Sequence, residues 1–195
     1  DIVGSRELDD RGQAQRDLEQ VFARVNELVA LDEPFRPTVG DEFQAVASDS
    51  WTALAATLLA RLMFPDHVEC RFGLGAGESR PVTSTAPNDL RDGSAWWRAR
   101  EAITIAHEKM AGGRGALRSW YVAGPDADAA SALVTAQLVV RDHIVTRMKR
   151  IDRDLTLGQL LGRTQKELAR EAGISQPAVS QRLERSGGSA LLTAA

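Results

Sequence analysis

The sequence predicts an α+β protein: a β-α-β-β-α-β unit, then a long helix, then a small all-α module. Three observations predict it. Leu18, Val21, Phe22, Val25, Leu28 and Val29 repeat at the spacing of one buried helix face. Residues 35–47 read as strand, Gly-Asp turn, strand, and Gly173 separates two short amphipathic helices over residues 164–183.

Taken in order, Ile2-Val3 followed by Gly4-Ser5 reads as the end of a strand entering a turn, so the strand is expected to begin before Asp1. A helix is expected from about Glu7 to Leu31, after which Pro34 and Pro37 break the chain. Phe35–Val39, Gly40-Asp41 and Glu42–Ala47 form the predicted hairpin. Ser50 is the expected cap of a helix from Trp51 to about Met63, closed by Pro65, and Val68–Gly77 is the next strand. Glu78–Asp92, rich in Pro, Ser, Thr and Asn, reads as an exposed loop. Ser94–Met110 is helical and Leu117–Val122 is a short strand that Gly124-Pro125 stops. Asp126 or Asp128 is expected to cap a helix running to about Arg150, with an apolar stripe through Leu133, Val134, Leu138, Val139, Ile144, Val145 and Met148. The predicted boundaries are 1–125 for the first domain, 126–153 for a connecting and dimerising helix, and 154–195 for the last module.

With 195 residues, 43% hydrophobic and 26% charged, the chain can bury one good core and a small second one. No stretch of eighteen apolar residues occurs and the start has no basic-then-apolar leader, so neither a membrane span nor a secretory signal is expected, and a cytoplasmic location follows. The single cysteine, Cys70, excludes a disulfide framework and reads as a small buried apolar residue. His67, His107 and His143 are too scattered for a metal cluster. The net charge of −3 hides an asymmetry: residues 1–140 carry −7 and residues 141–195 carry +4. That split fits a small phosphate-contacting module attached to an acidic domain that binds something else.

The basic module is the most specific local signal. Leu168, Ala169, Ala172, Ile174, Val179 and Leu183 are spaced to pack two helices at a steep angle, and Gly173 permits the left-handed turn between them. Ser175 caps the second helix and Pro177 sits in its first turn, where a missing N–H does no harm. Over these twenty residues the chain resembles the helix-turn-helix of many bacterial regulators. The resemblance implies DNA binding, with the second helix in the major groove. Gln176, Pro177, Ser180, Gln181 and Glu184 then face outward. Ser175, Gln176, Pro177, Ser180 and Gln181 are the candidates for DNA contact, with Arg182 and Arg185 suited to phosphates. One such module makes few contacts, so a homodimer is expected, joined through the long helix after Asp128 or through Trp120 and Tyr121.

In the first domain, the turn after Asp1-Ile2-Val3 and the hairpin turn Gly40-Asp41-Glu42 should meet at one end of the sheet. Asp1 and Asp41 there are candidate ligands for Mg²⁺ or Mn²⁺, and the Gly4-Ser5 amides would face phosphate, which makes a nucleotide the expected ligand. The arrangement resembles the ferredoxin-like palm of class III nucleotidyl cyclases and GGDEF diguanylate cyclases, with Arg71-Phe72-Gly73-Leu74-Gly75-Ala76-Gly77 similar to their glycine-bearing strand.

The stretches Asp1–Arg6, Thr38–Gln44, Arg71–Glu78 and Asp92–Ala102 together are similar to the SatD family, small bacterial proteins with a cyclase-like palm. Against the cyclases, Val39 stands where the GGDEF turn has its first glycine, Trp97 stands where they carry an Asn, and Arg100 is one residue out of step with their Arg. Glu42, Trp97 (or Trp96, stacking on a base) and Arg98 and Arg100 (facing phosphates) complete the candidate ligand site. The expected function is a DNA-binding regulator whose palm senses a nucleotide or related phosphometabolite. The alternative is a metal-dependent nucleotidyl cyclase or nucleotide-cleaving enzyme with a DNA-binding tail.

Overall fold

A computed structural model describes residues 1–4, 10–38, 42–81, 91–113 and 115–194. Helix α1 (Arg11–Leu28) starts where the Asp10 carboxylate accepts a hydrogen bond from the Gln13 amide at 2.8 Å, and it buries Ala14, Leu18, Phe22 and Val25 on one face. Strands β1 (Glu33–Pro37) and β2 (Phe43–Val46) form the expected antiparallel hairpin, whose Gly40-Asp41 tip lies outside the described residues. The Asn26 side chain holds β1 to α1, accepting from the Phe35 amide at 2.7 Å and donating to the Phe35 carbonyl at 3.1 Å.

Helix α2 (Ser50–Met63) is capped one residue earlier than expected: Asp49, not Ser50, accepts from the Thr52 amide at 2.9 Å, because a carboxylate reaches the free amides with charge as well as geometry. Strand β3 is Phe72–Gly75, shorter than predicted, and Cys70 just before it is buried and forms an antiparallel bridge with Ile2. The predicted loop after it carries a short antiparallel pair, β4 (Arg80–Pro81) with β5 (Arg91–Asp92). Helix α3 (Ser94–Ala111) then packs on β3, and β6 (Ser119–Val122) runs parallel to β3 in a four-residue register from Phe72↔Ser119 to Gly75↔Val122.

Gly73 and Gly75 explain the close fit of α3. A Cβ at Gly73 would fall 2.1 Å from the Ala99 carbonyl oxygen, and one at Gly75 2.2 Å from that of Ala95. The strand's glycines therefore serve helix-to-strand approach.

Beyond a short 3-10 turn (Pro125–Ala127), α4 (Asp128–Arg147) begins with Ala127 at its cap position instead of an aspartate. It ends at Arg147, three residues before the predicted end, because Met148 turns extended (φ −69°, ψ 136°) and α5 (Arg150–Leu160) starts afresh. The predicted stripe is divided. Leu138, Val145 and Met148 are buried, whereas Leu133 is 73% exposed and Val139 39%; Val140, outside the predicted stripe, is 60% exposed. Helices α6 (Gln165–Ala172), α7 (Gln176–Ser186) and α8 (Gly188–Ala194) complete an α+β chain whose hydrogen-bonded strands form two-stranded ladders. No helix among the described residues is long and apolar enough to cross a membrane.

Three apolar clusters hold these elements. In the first, Phe22 sits among the chain's other four phenylalanines, 4.4 Å from Phe35, 4.7 Å from Phe43, 5.7 Å from Phe64 and 6.4 Å from Phe72. The second joins Leu58 and Leu62 of α2 to Val145, Met148 and Leu191. The third packs Leu155, Leu168, Ala169, Val179 and Leu183.

A buried polar knot runs between α2, β6 and α4. Arg61 pairs with Asp142, whose other oxygen accepts from the Arg118 amide at 2.6 Å, while Arg141 donates to Thr57 at 3.0 Å and Ser119 at 2.9 Å. Burial pushes Arg141 down to about 10 and lowers Arg61 as well, with Asp142 opposing both shifts.

Candidate functional site

Two regions carry the candidate residues. The first is a cavity of about 560 Å³ bounded by the hairpin, by β3 and by the first turns of α3. Its floor is apolar, with Phe22, Phe35, Phe43 and Phe72. Its rim is polar. Ser50 and Tyr121, 3.2 Å apart at their hydroxyls, close one end, and Asp1, Glu42, Trp96 and Arg100 stand around the rest. Gly73 and Gly75 of β3 also line it.

The predicted ligand residues divide. Glu42 and Arg100 lie together on the rim, bonded at 3.0 Å, and the Arg100 guanidinium sits 5.5 Å from the Trp96 ring centre. Trp97, expected at the site, instead points to solvent at 64% exposure and does not line the cavity. Adjacent helix positions point about 100° apart, so when Trp96 takes the cavity side Trp97 cannot. Arg98 is also away from it: its guanidinium donates to the Ala76 carbonyl at 2.6 Å and fills the space beside Gly77 and Gly124, a packing role. Gly4 adopts a left-handed turn (φ 65°) on the surface, off the cavity lining. Ser5 and Asp41 lie outside the described residues.

Asp1 reaches the rim, but both its carboxylate oxygens face Arg71, at 3.0 and 3.2 Å, and Arg71 also contacts His107. Its negative charge is thus already matched by a guanidinium. Among the described residues, no group of three His, Cys, Asp or Glu side chains is arranged to hold a metal ion.

The second region is the α6–α7 pair. Thr164 and Glu167 form a reciprocal capping box at the start of α6. The helix ends at Gly173 in the left-handed conformation (φ 65°, ψ 30°), and Ser175 caps α7 by accepting from the Ala178 amide at 3.3 Å, with Pro177 in the first turn. Bonds from Thr164 to Glu167 hold that carboxyl below its ordinary value of 4.5. Leu168, Ala169, Val179 and Leu183 are buried, which leaves Gln176, Pro177, Ser180, Gln181 and Glu184 exposed along α7. Gln176 donates to Gln165 of α6 at 2.6 Å. Arg182 is half-buried against Asp152 of α5 at 2.9 Å, while Arg185 is exposed.

Sequence reasoning missed two features. The Asn26 clasp joins α1 to the strand that follows it and the Tyr121–Ser50 contact joins residues 71 apart, and neither is encoded by helix or strand periodicity.

A family model described as the SatD family matches residues 1–193. Neither a search of curated proteins nor one of solved structures found a match.

Proposed function

The chain belongs to the SatD family, and from that membership and the two regions above we propose a DNA-binding transcriptional regulator that senses a nucleotide or related phosphometabolite through a cyclase-like palm. The observation that carries this reading is α7: a capped helix, turned off α6 through left-handed Gly173, with Gln176, Ser180 and Gln181 on its exposed side. Helices of this kind enter the major groove, where Gln and Ser side chains pair with base edges. A second copy supplies the second half-site. It joins along the exposed Leu133 and Val140 face of α4, in a cytoplasmic homodimer.

In the same reading the 560 Å³ cavity takes the ligand. Trp96 stacks on its base in place of Trp97, and Arg100 turns from Glu42 to its phosphate. The exposed Arg100–Glu42 pair is worth about 0–1 kcal/mol and yields readily. A divalent cation at Asp1 and Asp41 must first displace Arg71 from Asp1, so phosphate recognition runs through Arg100.

Two measurements test this. Fluorescence anisotropy on a duplex selected from a random library is expected to show that Gln181→Ala loses about 1–3 kcal/mol on the selected sequence and little on random DNA. Equal losses on both would remove the base-reading role. Thermal midpoints against mono-, di- and triphosphates and cyclic nucleotides, with and without Mg²⁺, should rise selectively in wild type and not in Arg100→Ala. Turnover of a triphosphate in that panel would replace the sensor by the enzyme reading.

A further inference from the structure

We propose that the corner between α4 and α5 forms, with α7, a clamp for the DNA phosphate backbone, so that Arg147 and Lys149 act together with Arg185 and Arg182. This deepens the DNA-binding reading above and rests on it. The four cations line one groove with Gln181 and Ser186, and Asp152 is the carboxylate among its lining residues. Arg182 satisfies Asp152, which leaves the groove strongly positive.

Most other arginines of the C-terminal region are held elsewhere. Arg150 pairs with Asp154, Arg153 with Asp66 and Arg163 with Glu171. Among the described residues no carboxylate is in ion-pair contact with Arg147, Lys149 or Arg185, and all three are exposed. Exposed, unmatched cations facing one groove attract a polyanion, and a phosphate strand presents about one charge per 3.4 Å.

Position points the same way. Gln181 belongs both to the exposed base-reading face of α7 and to the groove, so a duplex seated on α7 brings one strand across the Arg147–Lys149 wall. The wall is firm. Thr146, next to Arg147, accepts from buried Arg61 at 2.8 Å and donates to the Ala116 carbonyl at 3.2 Å, which fixes the last turn of α4. The extended Met148, 8% exposed, then sets Lys149 beyond it.

The test is the salt dependence of duplex binding by the full chain. In Arg147→Ala/Lys149→Ala the slope of log affinity against log salt should shrink by about 2, with equal losses on selected and random duplexes. Arg147→Lys/Lys149→Arg should keep the wild-type slope, as should Arg24→Ala on the distant α1. A slope unchanged in the double alanine variant, in protein with a wild-type thermal midpoint, overturns the clamp while the DNA reading stands. No duplex binding by wild type overturns both. Binding that the double variant loses for a poly-glutamate peptide but not for duplex would assign the groove to an acidic protein partner and overturn the clamp.

Discussion

In the α+β region Arg61, Arg71, Arg118 and Arg141 lie at most 7% exposed, matched by Asp142, Asp1, Glu69 and the Ser119 and Thr57 hydroxyls. In the helical region that begins at the α4–α5 corner, Arg147, Lys149 and Arg185 stand in solvent around a groove. The same residue type does opposite work. A guanidinium taken from water needs partners for its charge and most of its donors, so buried arginines fix one arrangement of helices and are unavailable to a ligand. An exposed one costs little to keep and remains free for an anion. Charge counted along the chain mixes the two: the +4 of residues 141–195 includes Arg141, which is buried, and Arg153, which is tied to Asp66.

The comparison predicts unequal costs. The largest belongs to Asp142→Ala, which strands Arg61 and the Arg118 amide inside the core. A loss of about 3–5 kcal/mol is expected by chemical denaturation, against less than about 0.5 kcal/mol for Arg185→Ala. Equal losses would erase the distinction between the two regions.

Next comes the glycine strand. Gly75→Ala puts a methyl 2.2 Å from a backbone oxygen of α3, and an expected loss of about 1–3 kcal/mol in unfolding free energy, with a weakened ligand-induced rise, would tie α3 to the cavity. Stability unchanged in that variant would mean that α3 does not pack on β3 as described.

The smallest effect is in acid. Backbone and hydroxyl bonds from Thr52 lower the Asp49 carboxyl, and those from Thr164 lower Glu167, below ordinary values of 3.8 and 4.5. Both favour the ionised form in the folded chain, so their stabilisation is complete above about pH 4.5 and is lost as the pH falls through their folded values. Glu167→Gln should flatten that acid limb slightly while leaving stability at pH 9 nearly parallel to wild type. An unaltered limb would show that the α6 capping box contributes nothing.

Much of this was legible in the sequence because it is local. The i, i+3, i+4 spacing of Leu18, Phe22 and Val25 specifies a buried helix face, and Gly173 followed by Ser175 and Pro177 specifies a turn and a capped helix with no reference to the rest of the chain. The candidate site was only half legible. Glu42 and Arg100 are 58 residues apart and meet on the cavity rim, yet their neighbours Trp97 and Arg98 do not join them, since the phase of α3 on β3 is set by where Gly73 and Gly75 let the helix approach.

By itself, then, the sequence determined most of the secondary elements, the acidic and basic halves and the α6–α7 turn, all of which follow from periodicity and from the backbone preferences of single residues. The tertiary structure alone decided which Trp lines the cavity, that Arg71 occupies Asp1, that α4 stops at Arg147, and which arginines remain in solvent. Each of these turns on burial, and burial depends on contacts between segments that no local pattern records.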